Sequence, residues 1–255
     1  MSLIQSVFAK SDQLDRRIEK VIQYDMRSAD QLRQEVSEYV VTDNIRHNFE
    51  KLLDLIDRGI ETGSNEVGVW VSGFYGSGKS SFTKYFGFAL DQDRKIDGKP
   101  FLKHMQDRFK SKQIQQRLST VAKRHDPTVI MLDLASEQLT GANMAEISSV
   151  LYAKVMQWAG YSRDRKIAYL ELKLEQDEKM EAFEAEIEQL AGQTWSQIKN
   201  QPLAANSLAS RLAYEFYPNL FEDKNDFKSL NVDEMINERE RAERMIELIR
   251  QRSGK

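Results

Sequence analysis

The stretch VGVWVSGFYGSGKSSF, residues 67–82, decides the expected fold. It opens with VGVWV, residues 67–71, a short β-branched and aromatic run typical of a strand buried on both faces. A glycine-rich segment follows, and from Ser80 onward the apolar residues fall on one helical face. The apolar residues on this face are Phe82, Tyr85, Phe86, Ala89 and Leu90. The sequence therefore predicts the order strand, loop, helix.

Within this stretch, residues 73–80 match the pattern G-x-x-x-x-G-K-[ST] in full. The four fixed positions coincide by chance at roughly one start in thirty thousand, or about 1% for a chain of this length. Such a loop wraps a polyphosphate with backbone N–H donors, so side chains must be absent where the main chain comes close. The helix that follows adds its positive end and its unpaired N–H groups. The motif predicts a phosphate-binding loop.

Each residue type in the loop has a role in that chemistry. Lys79 is predicted to reach the β- and γ-phosphates, and stabilisation of phosphate charge is the catalytic role we assign to it. The Ser80 hydroxyl is the predicted Mg²⁺ ligand, because Mg²⁺ prefers hard oxygen ligands, and the Ser81 hydroxyl covers the α-phosphate. The predicted nucleotide-binding residues are Gly73, Gly76, Ser77, Gly78, Lys79, Ser80 and Ser81.

The base of the nucleotide is predicted mainly by elimination. The sequence lacks the N/T-K-x-D segment that usually marks guanine specificity, so ATP with Mg²⁺ is the expected ligand. Val41 and Thr42 precede the first core helix. They either lie against the base or simply form the entry to that helix.

A second apolar run, VIMLDL at residues 129–134, predicts another buried strand. The helices between the two runs would supply the crossover that parallel pairing requires. Asp133 is either a metal-site residue or a strand-end residue with a local hydrogen-bonding role, and Glu137 is a weaker candidate for a catalytic base. The predicted fold class is α/β: a P-loop NTPase with an incomplete parallel sheet core and a largely helical C-terminal portion.

The remaining periodicity predicts helices. A core helix is expected to begin with Asp43 as its cap and to end at Gly59, and its buried stripe comprises Ile45, Phe49, Leu52, Leu53 and Ile56. One or two amphipathic helices are expected between Phe101 and Val121. The charged segment from Ile167 to Leu190 is either a projecting hairpin, a coiled-coil arm or a solvated helical insertion. A final charged helix is expected from about Asp233 to Arg252.

This pattern suggests three parts of the chain. Residues 1–42 form a helical or extended lead-in, and residues 43–160 form the P-loop nucleotide-binding core. Residues 161–255 form a charged helical insertion and part of the ATPase domain. Trp70, Trp158 and Trp195 are expected to be core or interface anchors rather than base-stacking platforms.

Composition limits the classes of partner. With 37 basic and 40 acidic side chains, the net charge of -3 creates no global field that would demand nucleic acid or an anionic membrane. The segment from Lys95 to Arg124 is locally basic, and it either tracks a DNA backbone or forms a solvated helical face. The three histidines are expected at the surface or at helix edges, with no metal site beyond Mg²⁺.

Composition also bears on location. The absence of Cys excludes disulfides, thiolate zinc sites and cysteine nucleophiles, and it favours a reducing compartment. No apolar run reaches about 18 residues, and residues 1–10 lack the basic leader of a secretory signal. We therefore expect a cytoplasmic protein without a membrane partner.

Three stretches carry a resemblance to a known family. EYVVT at residues 38–42, residues 67–82 and the upstream RIEKVI at residues 17–22 resemble the N-terminal part of the BREX phage-defence P-loop ATPases, the BrxC family. The resemblance implies an AAA+/ORC-like ATPase core that acts beside other BREX proteins, including a methyltransferase and a phosphatase-like protein. Members of that family are several times longer, so the resemblance also implies that this chain is a fragment. The Asp-Glu strand needed for hydrolysis would lie beyond Lys255, and the arginine finger cannot be assigned in this chain.

The leading hypothesis is thus a Mg-ATP-binding P-loop module of a BREX anti-phage defence ATPase, with hydrolysis absent or feeble in this chain alone. Its expected partners are other BREX system proteins, and self-association is a further expectation. Two alternatives remain open. One is an interaction or scaffold module that nucleotide only stabilises, and the other is a small-molecule kinase in which Asp133 orients an acceptor hydroxyl.

Overall fold

The computed structural model describes residues 28–63, 68–134, 147–223 and 225–254. The chain forms two compact units, Met1–Met131 and Leu132–Lys255. The described part of the first unit consists of five helices and one β-hairpin: α1 (Ala29–Glu38), α2 (Asp43–Glu61), α3 (Lys79–Leu90), β1 (Lys95–Ile96), β2 (Lys99–Pro100), α4 (Phe101–Gln106) and α5 (Lys112–His125).

The only strands among the described residues are β1 and β2, which pair antiparallel with Lys95 opposite Pro100. Their turn is Asp97-Gly98, where both residues have positive φ, 51° and 77°. Two successive positive φ values are what a tight two-residue hairpin needs, and Asp-Gly adopts them readily. The Asp97-Gly98 dipeptide therefore forms the turn of the hairpin.

The predicted fold class, an α/β P-loop NTPase of AAA+/ORC-like type with a parallel sheet core, is wrong. Residues 68–71 and 129–133 belong to no strand, and the described residues contain no parallel sheet. The first run is exposed rather than buried, since Trp70 is 91% exposed. In the second run, Val129 and Met131 pack against the helical core. A β-branched pattern favours a pleated surface, but a strand also requires a neighbour that satisfies its backbone N–H and C=O groups.

The core of the first unit draws buried residues from all five of its described helices, and an aromatic cluster in it joins α2 to α3. Phe49 on α2 is fully buried, and its ring makes edge contacts with those of Phe82, Phe86 and Phe109. The helical face predicted after the loop is confirmed by α3, on which Phe82, Tyr85, Ala89 and Leu90 are buried. Aromatic packing therefore ties the helix that follows the loop to the helix that precedes it.

The ends of α2 differ from those predicted. Thr42 rather than Asp43 is the N-cap, because its hydroxyl accepts a hydrogen bond from the Ile45 N–H at 3.3 Å. The helix also continues through Gly59 to Glu61. A helix-interior glycine costs about 1 kcal/mol relative to Ala, and the buried stripe of this long helix outweighs that cost.

The second unit is helical throughout its described part. Its helices are α6 (Ile147–Trp158), α7 (Arg165–Gln176), α8 (Met180–Ala191), α9 (Trp195–Ile198), α10 (Pro202–Phe216), α11 (Asp226–Ser229), α12 (Val232–Met235) and α13 (Glu238–Ser253). Among the described residues, no helix is both long and apolar enough to cross a lipid bilayer.

The charged segment from Ile167 to Leu190 is a hairpin of α7 and α8, but it does not project as an arm. Ile167, Leu174, Phe183 and Ile187 are all buried in one cluster with Trp195. The thin apolar stripe of the sequence is therefore part of the core of this unit. The predictions of a projecting arm and of a solvated insertion are both wrong, because α10 covers the stripe.

The core of the second unit encloses a carboxylate. Glu171 is 2% exposed and accepts hydrogen bonds from the Ser162 N–H at 2.6 Å and from Trp195 Nε1 at 2.8 Å. The Lys199 ammonium lies 3.4 Å from the same carboxylate. Burial raises the pKa of Glu171 above its ordinary value despite these partners.

We expect Glu171 to make the second unit less stable as pH rises. Because its pKa is higher in the folded state than in the unfolded state, the unfolded chain releases this proton first. The contribution of Glu171 to the free energy of unfolding is therefore largest below the ordinary glutamate pKa. It falls as pH rises towards the raised folded-state pKa and then levels off. Urea unfolding of wild type and Glu171→Gln across pH isolates this contribution, and a stability difference that stays constant with pH would contradict it.

Candidate functional site

The predicted phosphate loop lies directly before α3. Gly76 and Gly78 have φ of 77° and 84°, in the left-handed region that favours glycine, and Gly78 is the N-cap of the helix. A Cβ added at either position would meet no atom within 4 Å. These two glycines are therefore required for backbone conformation rather than for space within the loop.

Gly73 meets a different constraint. A Cβ at this position would lie 2.8 Å from Ser77 Oγ, so Gly73 and Ser77 approach each other closely. The Ser77 N–H donates to the Phe74 carbonyl at 3.2 Å and closes the turn between them. The loop is thus compact around the Gly73 and Phe74 carbonyls.

The Lys79 side chain folds back over this loop. Its ammonium donates to the Gly73 carbonyl at 2.9 Å and to the Phe74 carbonyl at 2.7 Å. An ammonium has three donors, so one donor remains for another acceptor. Lys79 therefore places a positive charge at the centre of the loop, at the N-terminal end of α3.

The loop opens into a cleft of about 730 Å³ within the first unit. One wall is the loop with the preceding segment 68–72, and the other is a face of α2. Of the predicted ligand residues, Gly73, Ser77, Gly78 and Lys79 line this cleft. Gly76, Ser80 and Ser81 lie in the same loop and helix start but do not line it.

The Ser80 hydroxyl meets one requirement of a Mg²⁺ ligand, since Ser80 is an exposed residue in the first turn of α3. The described residues contain no group of three or more Asp, Glu or His side chains that could hold a metal. Mg²⁺ commonly keeps several waters and binds through substrate phosphates. The described residues therefore offer an exposed hydroxyl beside the loop, that of Ser80, and a Mg²⁺ ion would have to arrive on the phosphate ligand itself.

The other predicted site residues lie in different parts of the structure. Asp133 belongs to the second unit and is half-buried. Val41 packs against the helical core, whereas Thr42 caps α2 and also lines the cleft. Glu137 and the upstream residues 17–22 lie outside the described residues.

The aromatic residues beside the loop are exposed. Trp70 and Phe74 are each 91% exposed, and both line the cleft. The core alternative is therefore wrong for Trp70, and its alternative role as an interface anchor stays a prediction, whereas Trp195 is buried as expected. An apolar run predicts burial only if another element covers it, and no described element covers Trp70.

The basic segment from Lys95 to Arg124 is partly neutralised within the first unit. Arg117 pairs with Asp54, and Arg124 pairs with Asp57 at 3.4 Å and with Glu61 at 2.8 Å. These three acidic residues all lie on α2. The arginines of α5 therefore pair with the acidic face of α2, a contact that the sequence pattern alone does not reveal.

Sequence reasoning missed the α2 wall of the cleft. Asn44, Asn48, Lys51 and Leu55 line it and share one helical face. The signal was a polar stripe at helical spacing beside the buried stripe of Ile45, Phe49 and Leu52. The solvent-exposed face of any helix shows the same polar stripe. Only the position of the loop shows that this stripe lines a cleft.

Comparison of the chain with protein-family models and with solved structures gives no match.

Proposed function

We propose that this chain binds ATP, as its Mg²⁺ complex, at the loop of residues 73–81. The observation that supports the proposal is the position of Lys79, which holds its ammonium at the centre of a glycine-rich loop that opens into a cleft at the start of α3. The full match of the loop to the phosphate-binding motif points to the same chemistry.

Binding would give the Lys79 ammonium phosphate oxygens as acceptors in place of backbone carbonyls. The Lys79 ammonium donates to two neutral carbonyls, and phosphate oxygens are stronger acceptors because they carry charge. The first N–H groups of the 12-residue α3 have no partner within the helix and favour an anion at this end. The Ser80 hydroxyl would contact the Mg²⁺ that accompanies the phosphates, which supplies charge neutralisation.

The nucleotide is proposed to be ATP because the sequence lacks a guanine-specificity segment. The resemblance of residues 38–42 and 67–82 to BREX phage-defence ATPases supports a role in anti-phage defence, in which other BREX proteins respond to the bound nucleotide. The proposal concerns binding, and it assigns no hydrolytic step to residues of this chain.

Calorimetric titration of the 255-residue chain tests the proposal. Mg-ATP is expected to bind at least about tenfold more tightly than adenosine, since the phosphate chain supplies the charge-assisted contacts. Inorganic tripolyphosphate should compete with ATP for the same site. No binding of Mg-ATP, or equal affinity for adenosine and ATP, would contradict a phosphate-directed site.

A further inference from the structure

The α2 helix separates its charges between two faces. Asp54, Asp57 and Glu61 pair with arginines of α5, and His125 Nε2 lies 2.7 Å from Asp57. The acidic side chains on this face of α2 are therefore directed towards α5, and none of these three lines the cleft.

The face of α2 that lines the cleft carries a different set of side chains. Asn44 and Asn48 are neutral, and Lys51 is positive. Of the described residues that line the cleft, none is Asp or Glu, whereas Lys51 and Lys79 both line it. The chain as a whole has a net charge of -3. The cleft, with two lysines and no carboxylate, therefore has the opposite sign of charge.

Lys51 and Lys79 approach the cleft from its two walls. Lys79 belongs to the loop and α3 and already donates to two carbonyls, whereas Lys51 is exposed on α2. In the part of the chain that the structure describes, the Lys51 ammonium forms no ion pair. An anion in the cleft would thus lie beside two positive charges, one from the loop and one from α2.

We infer that Lys51 is a second phosphate-binding residue, which contacts the phosphate chain from the wall opposite Lys79. This inference rests on the proposed function, because it concerns the same ligand in the same cleft. It adds a residue that the loop motif does not contain. It also makes α2 part of the binding site rather than only a support for the core.

The test compares Lys51→Ala with two other variants of the full chain. Lys51→Ala is expected to weaken binding of both Mg-ATP and inorganic tripolyphosphate by about fivefold to tenfold, as for one partly exposed charge-assisted contact. Adenosine affinity should not change. Lys51→Arg, which keeps the charge, should restore at least half of the lost binding free energy. Arg58→Ala is the matched control, because it removes an exposed cation of α2 that does not line the cleft.

The outcomes separate the two proposals. If wild type binds neither Mg-ATP nor tripolyphosphate, the proposed function itself fails. If wild type binds both and Lys51→Ala binds them equally well, only the role of Lys51 is overturned. The role is also overturned if Lys51→Arg binds as weakly as Lys51→Ala, if Arg58→Ala has the same effect, or if adenosine affinity falls in parallel.

Discussion

Replacing Lys79 with Ala is expected to abolish measurable binding of Mg-ATP. The substitution removes the charge that lies at the centre of the loop, within 2.9 Å of the Gly73 carbonyl and 2.7 Å of the Phe74 carbonyl. Hydrogen bonds to charged groups contribute about 1.5–3 kcal/mol each, so loss of two such contacts to phosphate weakens binding by about a hundredfold or more. Calorimetric titration with Mg-ATP measures the loss directly.

Two further variants show whether the charge or the loop conformation is responsible. Lys79→Gln keeps hydrogen-bond donors but has no charge, and we expect it to bind about as weakly as Lys79→Ala. Lys103→Ala removes an exposed lysine from α4 and should bind like wild type. Affinity of Lys79→Ala within threefold of wild type, with an unchanged circular dichroism spectrum, would refute the proposed site.

The loop and its helix could be predicted from the sequence because their signals are local. Gly76 and Gly78 have left-handed backbones, and the Lys79 side chain reaches carbonyls only five and six residues back. The helical face from Phe82 to Leu90 follows from spacing alone. None of these features depends on a distant part of the chain.

The expected sheet failed because strand formation is not local. Val69 and Trp70 are exposed, whereas Val129 and Met131 lie against α3 beside Gly87. A Cβ at Gly87 would overlap the Met131 side chain, so this glycine permits the segment of Val129 and Met131 to lie directly on the helix. An apolar run that packs on a helix and one that pairs in a sheet have the same composition, so the pattern alone cannot separate them.

The α2 wall could not be predicted for a related reason. The acidic face of α2 follows helical spacing, but nothing local indicates that the arginines of α5 pair with it. Once those pairs form, Asn48 and Lys51 face the cleft by geometry. The composition of a cleft between distant elements is therefore a property of tertiary packing.

Replacing Phe49 with Ala is expected to destabilise the first unit by about 3–5 kcal/mol, the cost of removing a fully buried aromatic ring. The Phe49 ring is 0% exposed, and its centroid lies 5.0 Å from that of Phe82, 5.2 Å from Phe86 and 5.1 Å from Phe109. The cavity would open between α2 and α3, directly behind Phe82, which lines the cleft. Phe82 and Phe86 are both fixed on α3, and Phe109 lies between α4 and α5, so packing of these elements limits how far the rings can move inward to fill it.

Amide hydrogen exchange measures this effect in the elements concerned. The slowest amides of α2 and α3 should exchange about a hundredfold or more faster in Phe49→Ala, since each 1.4 kcal/mol of lost stability gives a tenfold increase. Leu55→Ala is the matched control on the same helix, because Leu55 is 42% exposed and should change exchange less than about tenfold. Equal acceleration in both variants would show that the aromatic cluster does not hold α2 against α3. Faster exchange in Phe49→Ala but not in Leu55→Ala would mean that the α2 wall of the cleft is stabilised by Phe49, a buried residue that does not itself line the cleft.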